Sequence, residues 1–475
     1  MGRLEEVLIE RRPPDRLAAL VGDERAARFT AMADATRELL GGRAVINVNS
    51  TANGGGVAEL LQTLLAYARG VGVDARWFVI DGDPRFFEIT KRIHNHLYGD
   101  PGDGGPLGPQ ERRDYERTLR ANADELASVV RPGDVVLLHD PQTAALVDVV
   151  RRAGCVVVWR SHVGIDTPNP NVDEAWAFLR PYVEGADAFV FSRRAFAPAW
   201  VDDERLHVIA PSIDPFSAKN YEMPPGEALR VLRYVGLLSG DDHLPPAPFT
   251  RRDGSPGRID RHADILQTGP PPPSDLPLVV QACRWDRLKD MPGVMAGFAE
   301  HVVRASDAHL VLAGPSVLGV ADDPESAQVL DECTAAWRTL PHAQRTRVHL
   351  ACTPMRDPDE TAAIVNALQS HASVVVQKSL AEGFGLTVAE AMWKRRPIVA
   401  SGLGGIADQI VDGSCGLLLD DPTDLAAFGD ATLRLLDDPA LAASLGANAH
   451  QRALEEFLPD RHLEQWAGLI AAIRG

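Results

Sequence analysis

Short apolar runs rich in Val, Ile, Leu and Phe recur along the whole chain, each followed by an amphipathic stretch, and this alternation restricts the fold more than any other feature. In the first half the runs are Ala44–Asn49, Ala75–Ile80, Asp134–His139, Cys155–Ser161, Ala188–Ser192 and Leu206–Ala210. In the second half they are Pro277–Ala282, His309–Gly314, Arg347–Ala351, Ser373–Gln377, Pro397–Ser401 and Gly416–Asp420. Runs this short and this apolar suit strands buried on both faces, and a strand–helix–strand rhythm builds parallel sheets flanked by helices. Helices are expected in the gaps, notably at Val57–Arg69 and Pro141–Ala153. The expected class is α/β, with doubly wound sheets.

A length of 475 residues is about three times the ~150 of a usual domain, so two domains are expected. The sequence places the first at 1–214 and the second at 215–459, with a hinge near Pro211–Pro215. The last stretch, about 460–475, reads as an amphipathic helix able to pack back onto the first domain. Residues about 241–274 read as an irregular insertion, because the run Pro270–Pro273 excludes helix and favours extended chain.

The net charge of −18 argues against nucleic acid, whose phosphates require a basic footprint. The cysteines (Cys155, Cys283, Cys333, Cys352 and Cys415) are scattered and lack CxxC pairing, which points to free thiols rather than disulfides or zinc. The start lacks the apolar core of a signal peptide, and no run approaches the ~18 apolar residues of a membrane span. The expected setting is cytoplasmic, with no membrane partner, and the default assembly is a homodimer.

In doubly wound sheets, ligands bind just beyond the carboxyl ends of strands. Gly54, Gly55 and Gly56 follow one strand and open a helix, whose free N–H groups suit an anion; a plain tight turn is the alternative. The spacing is not GxGxxG, so a nicotinamide dinucleotide is disfavoured. Arg284 and Lys289 lie in the loop after another strand, where a planar fork and a compact charge would together neutralise a diphosphate. The run "SLAEGFGLTVAEAMWK" follows a third strand. Its Glu382 suits a sugar hydroxyl or a developing positive charge. Gly383, Phe384 and Gly385 form a turn, and Glu390 suits a vicinal diol such as ribose. The bland reading of Glu390 is helix-dipole stabilisation, worth about 0.3–1 kcal/mol. His139 with Asp140, and His162 with Asp166, end two strands of the first half. Asp81 and Asp83 have acidic spacing, but no motif requires a metal.

Together, "EGFGLTVAE", "RWDRLKD", "NVNSTANGGGVAELL" and "RSHVGIDTPNPN" resemble glycosyltransferase family four, the retaining sugar transferases of GT-B fold, and within it the trehalose-forming branch. The resemblance runs from about Val45 to Leu425. It implies two Rossmann-like domains facing a cleft and a nucleoside-diphosphate glucose donor held mainly by the second. Arg284 and Lys289 would then bind the diphosphate and Glu390 the ribose. Glu382, Gly383, Phe384, Gly385 and Leu386 would hold the transferred glucose. His162 would line the reaction centre, and Gly55 and Gly56 would close over the phosphates. Asn53, His139 and Asp140 would fall on the acceptor side. No tightly bound cofactor is implied, and Mg²⁺ is permitted but not required. The resemblance extends to a phosphate-dependent trehalose phosphorylase and to transferases acting on other small acceptors, which are the alternatives.

Overall fold

The structure is a computed structural model describing residues 4–52, 55–240, 245–317 and 324–474. It divides into two compact units. Unit 1 comprises Met1–Ser212, Glu382–Phe384 and Phe457–Gly475; unit 2 comprises Ile213–Ala381 and Gly385–Glu456.

Unit 1 is built on a seven-stranded sheet of β1 (Glu5–Glu6), β2 (Val45–Asn49), β3 (Ala75–Val79), β4 (Val135–His139), β5 (Val156–Ser161), β6 (Ala188–Phe191) and β7 (Leu206–Val208). The strand order is β1-β3-β2-β4-β5-β6-β7, parallel except for β1, which pairs antiparallel with β3. Strands β2, β4 and β6 are buried at every residue, including the polar Asn47, Asn49 and His139. One face carries Ile46, Val48, Val136, Leu138, Val157 and Trp159 against the helices Pro84–Leu97, Pro109–Val129 and Pro170–Val183. The other carries Val45, Val135, Leu137 and Val158, and is covered in part by Trp466, Leu469 and Ile470 of the helix Pro459–Arg474.

Unit 2 contains a hairpin of β8 (Pro248–Thr250) and β9 (Pro256–Arg258) and a second seven-stranded sheet. The sheet consists of β10 (Asp264–Leu266), β11 (Leu278–Ala282), β12 (His309–Pro315), β13 (Val348–Thr353), β14 (Val374–Gln377), β15 (Ile398–Ser401) and β16 (Leu417–Leu419). Its order is β10-β13-β12-β11-β14-β15-β16, parallel except for the antiparallel edge strand β10. Its core includes Val279, Leu310, Leu312, Val374, Val376 and Val399.

Two local expectations change. The stretch expected to be an irregular insertion holds β8, β9 and β10, and ion pairs fix it to the start of the helix Pro358–His371. Arg251 meets Asp357 at 2.7 Å, Arg252 meets Asp359 at 2.7 Å, and Arg261 pairs with Glu360. The expected helix Pro141–Ala153 begins as a tighter 3₁₀ segment, Pro141–Leu146, before a short α-helix, Val147–Arg152.

Candidate active site

In each sheet the chain winds outward from one strand and then returns to its other side. Such a reversal leaves a crevice beyond the strand ends, where doubly wound folds bind ligands. In unit 1 the reversal lies between β2 and β4, and in unit 2 between β11 and β14.

Strands β2, β4 and β5 bring Asn47, His139 and Arg160 onto one sheet face, because Asn47 lies opposite Leu137 and His139 opposite Arg160. His139 is only 2% exposed, and both of its ring nitrogens are engaged. Nδ1 lies 3.0 Å from His162 Nε2, and Nε2 lies 2.9 Å from Asn47 Oδ1. The two imidazoles stack with centroids 5.3 Å apart. Burial, reinforced by the Arg160 guanidinium, pushes His139 down to about 3 and His162 well below its ordinary value. Both rings are therefore neutral. Arg160 is itself buried, with Nη1 3.3 Å from His462 Nε2 and Nη2 donating to the Ile209 carbonyl at 3.2 Å.

Asp140 adopts φ 63° and ψ 177°, a region otherwise left to glycine, at a typical cost of ~1–3 kcal/mol. Its carboxylate accepts the His162 backbone N–H at 2.7 Å, and burial lifts its pKa to about 7. Gly383 closes on the same residue. A Cβ there would stand 2.5 Å from the His162 carbonyl oxygen and 2.8 Å from Tyr98 Oη. Its neighbour Phe384 packs edge-on against Phe457, with centroids 5.7 Å apart, and Glu382 is buried. Gly55, with φ 80°, and Gly56 open the helix Gly55–Gly70, while Asn53 lies outside the described residues.

At the second reversal, Arg284 and Lys289 occupy the loop after β11. Arg284 keeps a half-exposed guanidinium 3.2 Å from Asp286. Buried side chains hold the loop from beneath. Gln281 donates from Nε2 to the Lys289 carbonyl at 2.7 Å and accepts the Lys378 backbone N–H at 3.1 Å. The fully buried Lys378 ammonium pairs with Asp290 and donates to the Pro422 carbonyl at 2.6 Å. Asp290, at φ 48°, also caps the helix Met291–Gly297 through the N–H of Gly293. Beyond β14, Gly385 at φ 86° precedes the helix Leu386–Trp393, which carries Glu390. Glu390 is 2% exposed. Its Oε1 lies 3.1 Å from Lys219 Nζ, while Oε2 is buried with no hydrogen-bond partner.

Sequence reasoning missed Asn47, Arg160, Lys219 and Lys378. Two of them left a signal: Asn47 and Asn49 share one face of an otherwise apolar run, and Lys378 directly follows another. The acidic pair Asp81/Asp83 has a local explanation, since Asp83 caps the helix Pro84–Leu97 through the Phe86 N–H at 2.8 Å. Among the described residues, no group of three or more His, Cys, Asp or Glu is disposed to hold a metal ion, and no helix is long and apolar enough to cross a membrane.

Residues 47–198 match the family described as trehalose synthase, N-terminal domain, and residues 356–452 match the glycosyl transferases group 1 family. The chain is 32% identical over 451 residues to a trehalose synthase of Thermococcus litoralis, an alignment covering 95% of each. It is 33% identical over 447 residues to one from Rubrobacter xylanophilus, covering 92% of each. Among solved structures, an α,α-trehalose-phosphate synthase (UDP-forming) from Burkholderia xenovorans, in complex with glucose-6-phosphate, shares the GT-B fold. It superposes with a TM-score of 0.65 at 16% identity, covering 91% of this chain and 100% of that one.

Proposed function

The chain belongs to the trehalose synthase family and is a trehalose-related glycosyltransferase, and on that footing we propose that it transfers glucose from a nucleoside-diphosphate glucose to free glucose, giving α,α-trehalose with retention at the donor carbon. The observation that carries the donor assignment is Glu390. A buried carboxylate oxygen without a donor is costly, at about 1–3 kcal/mol or more. Oε2 is such an atom. The paired hydroxyls of a ribose would satisfy it, with Lys219 holding the other oxygen.

In this reading Arg284 and Lys289 neutralise the diphosphate as it leaves, which lowers the barrier because the charge on that group grows in the transition state. The bond from the glucose anomeric carbon to the phosphate oxygen breaks, and a bond forms from the same face to the anomeric oxygen of the acceptor. The acceptor's proton passes to the departing phosphate oxygen, so a nucleoside diphosphate and trehalose leave together. Glu382 supports the positive charge that develops on the ring, His162 lines the reaction centre, and Asp140 lies on the acceptor side. No step requires a metal or a resident cofactor.

The test is product analysis by NMR after incubation with glucose and, separately, UDP-, ADP- and GDP-glucose. An α,α-1,1 disaccharide from at least one donor is expected. Its absence with every donor would overturn the reading, as would equal trehalose formation from maltose alone or from glucose 1-phosphate with glucose.

A further inference from the structure

We propose that His139 is a positioning residue, which fixes His162 as its neutral Nε2–H tautomer and leaves His162 Nδ1 bare as a hydrogen-bond acceptor for a bound sugar hydroxyl. The inference rests on the reading of His162 as part of the reaction centre and adds a part for His139, both of whose ring nitrogens are engaged within the protein. A neutral imidazole has one donor and one acceptor. The Asn47 amide is turned with Oδ1 toward the ring and Nδ2 buried without a partner; with Oδ1 there, which can only accept, the hydrogen between them belongs to His139 Nε2. His139 Nδ1 is then bare, and the hydrogen across the 3.0 Å contact belongs to His162 Nε2.

With the amide turned this way, the surroundings are consistent with this order. Protonating His139 Nδ1 would set two hydrogens against each other and would place a second cation beside the buried Arg160. The His162 main chain is held as firmly, with its N–H bound by Asp140 and its carbonyl against Gly383. Ring orientation and tautomer are thus both set from behind. Outer partners that orient a metal-bound imidazole are worth about 10–100-fold in affinity or activity, which sets the scale for the same arrangement without a metal.

The proposal is tested on the full chain by long-range ¹H–¹⁵N spectroscopy of ¹⁵N-histidine protein without substrate, with signals assigned through His162→Gln. The wild type should show His162 with hydrogen on Nε2 only, unchanged between pH 7.5 and 5.5. His139→Asn keeps an acceptor oxygen where Nδ1 was. It should retain the tautomer and lose clearly less kcat than the variant without an acceptor. His139→Leu removes the acceptor. It should give mixed or titrating His162 signals and a kcat lower by about 10–100-fold, with donor KM little changed. Hydrogen on His162 Nδ1, or mixed tautomers, in the wild type would overturn the inference, as would His139→Leu and His139→Asn behaving alike. Because the spectrum is read without substrate, its failure leaves the transfer reading standing. Conversely, a fixed tautomer in a protein that makes no trehalose removes that reading alone.

Discussion

At the scale of single residues the site depends on close approach. Gly383 is required by space and not by torsion: the two nearest atoms to an added methyl would be a main-chain oxygen and a phenol oxygen, both under 3.0 Å away. The main-chain atom has little freedom to yield, so Gly383→Ala must shift the His162 backbone. Overpacking of this kind costs about 1–3 kcal/mol, while a displacement approaching 1 Å at reacting groups costs on the order of 100-fold in rate. We therefore expect Gly383→Ala to remain folded, with a modest fall in melting temperature, and to lose far more turnover than stability. Calorimetry alongside steady-state kinetics decides the matter, and wild-type turnover in this variant would show that the packing against His162 is not part of the site.

At the scale of elements, the loop carrying Arg284 and Lys289 is shaped by its neighbours β11 and β14 through Gln281 and Lys378. Removing one partner of a buried ion pair typically costs ~3–5 kcal/mol, because the other is left buried and unpaired. Lys378 is fully buried, but the Asp290 carboxylate is 19% exposed, so Lys378→Met should fall toward the lower end, about 3 kcal/mol. Adding Asp290→Asn should recover part of that loss, since it removes the stranded charge. Urea denaturation of the two variants tests the pair, and a double variant less stable than the single one would contradict this account. The strands themselves were legible. Ala188–Ser192 and Pro397–Ser401, for example, are apolar stretches of strand length, and they appear as β6 and β15. The hairpin β8–β9 was not legible, because its anchors, Asp357, Asp359 and Glu360, lie far along the chain and local pattern does not reveal them. For the same reason Glu390 could be picked out beside its glycine turn, whereas Lys219, which reaches it from a stretch without any motif, could not.

At the scale of the whole molecule, each unit hides histidines whose burial keeps them neutral: His139, His162 and His462 in unit 1, and His309 and His349 in unit 2. The folded groups resist protonation until about 3 for His139 and His349 and about 4 for His309, against an ordinary 6.5. Above 6.5 neither state is protonated and nothing is lost. As pH falls through 6.5 the unfolded chain binds protons that the folded one refuses, so stability declines, by up to about 1.4 kcal/mol per pH unit for each fully buried ring. Asp140, raised to about 7, acts in the opposite sense between that value and 3.8, as one group against several. Urea midpoints should therefore be clearly lower at pH 5 than at pH 7.5. Equal midpoints would mean that these imidazoles are not held neutral. The way the chain threads its two units has a separate bearing on recombination. Unit 1 is completed by the tail that begins at Phe457, which supplies Trp466, Leu469 and Ile470 to the sheet and His462 to Arg160. A chimaera that exchanges heads between two relatives at a single junction after Ser212 would join one parent's sheet to the other parent's covering helix. The tail has to travel with the head, so the modular unit of inheritance here is a discontinuous set of segments and not one stretch of chain.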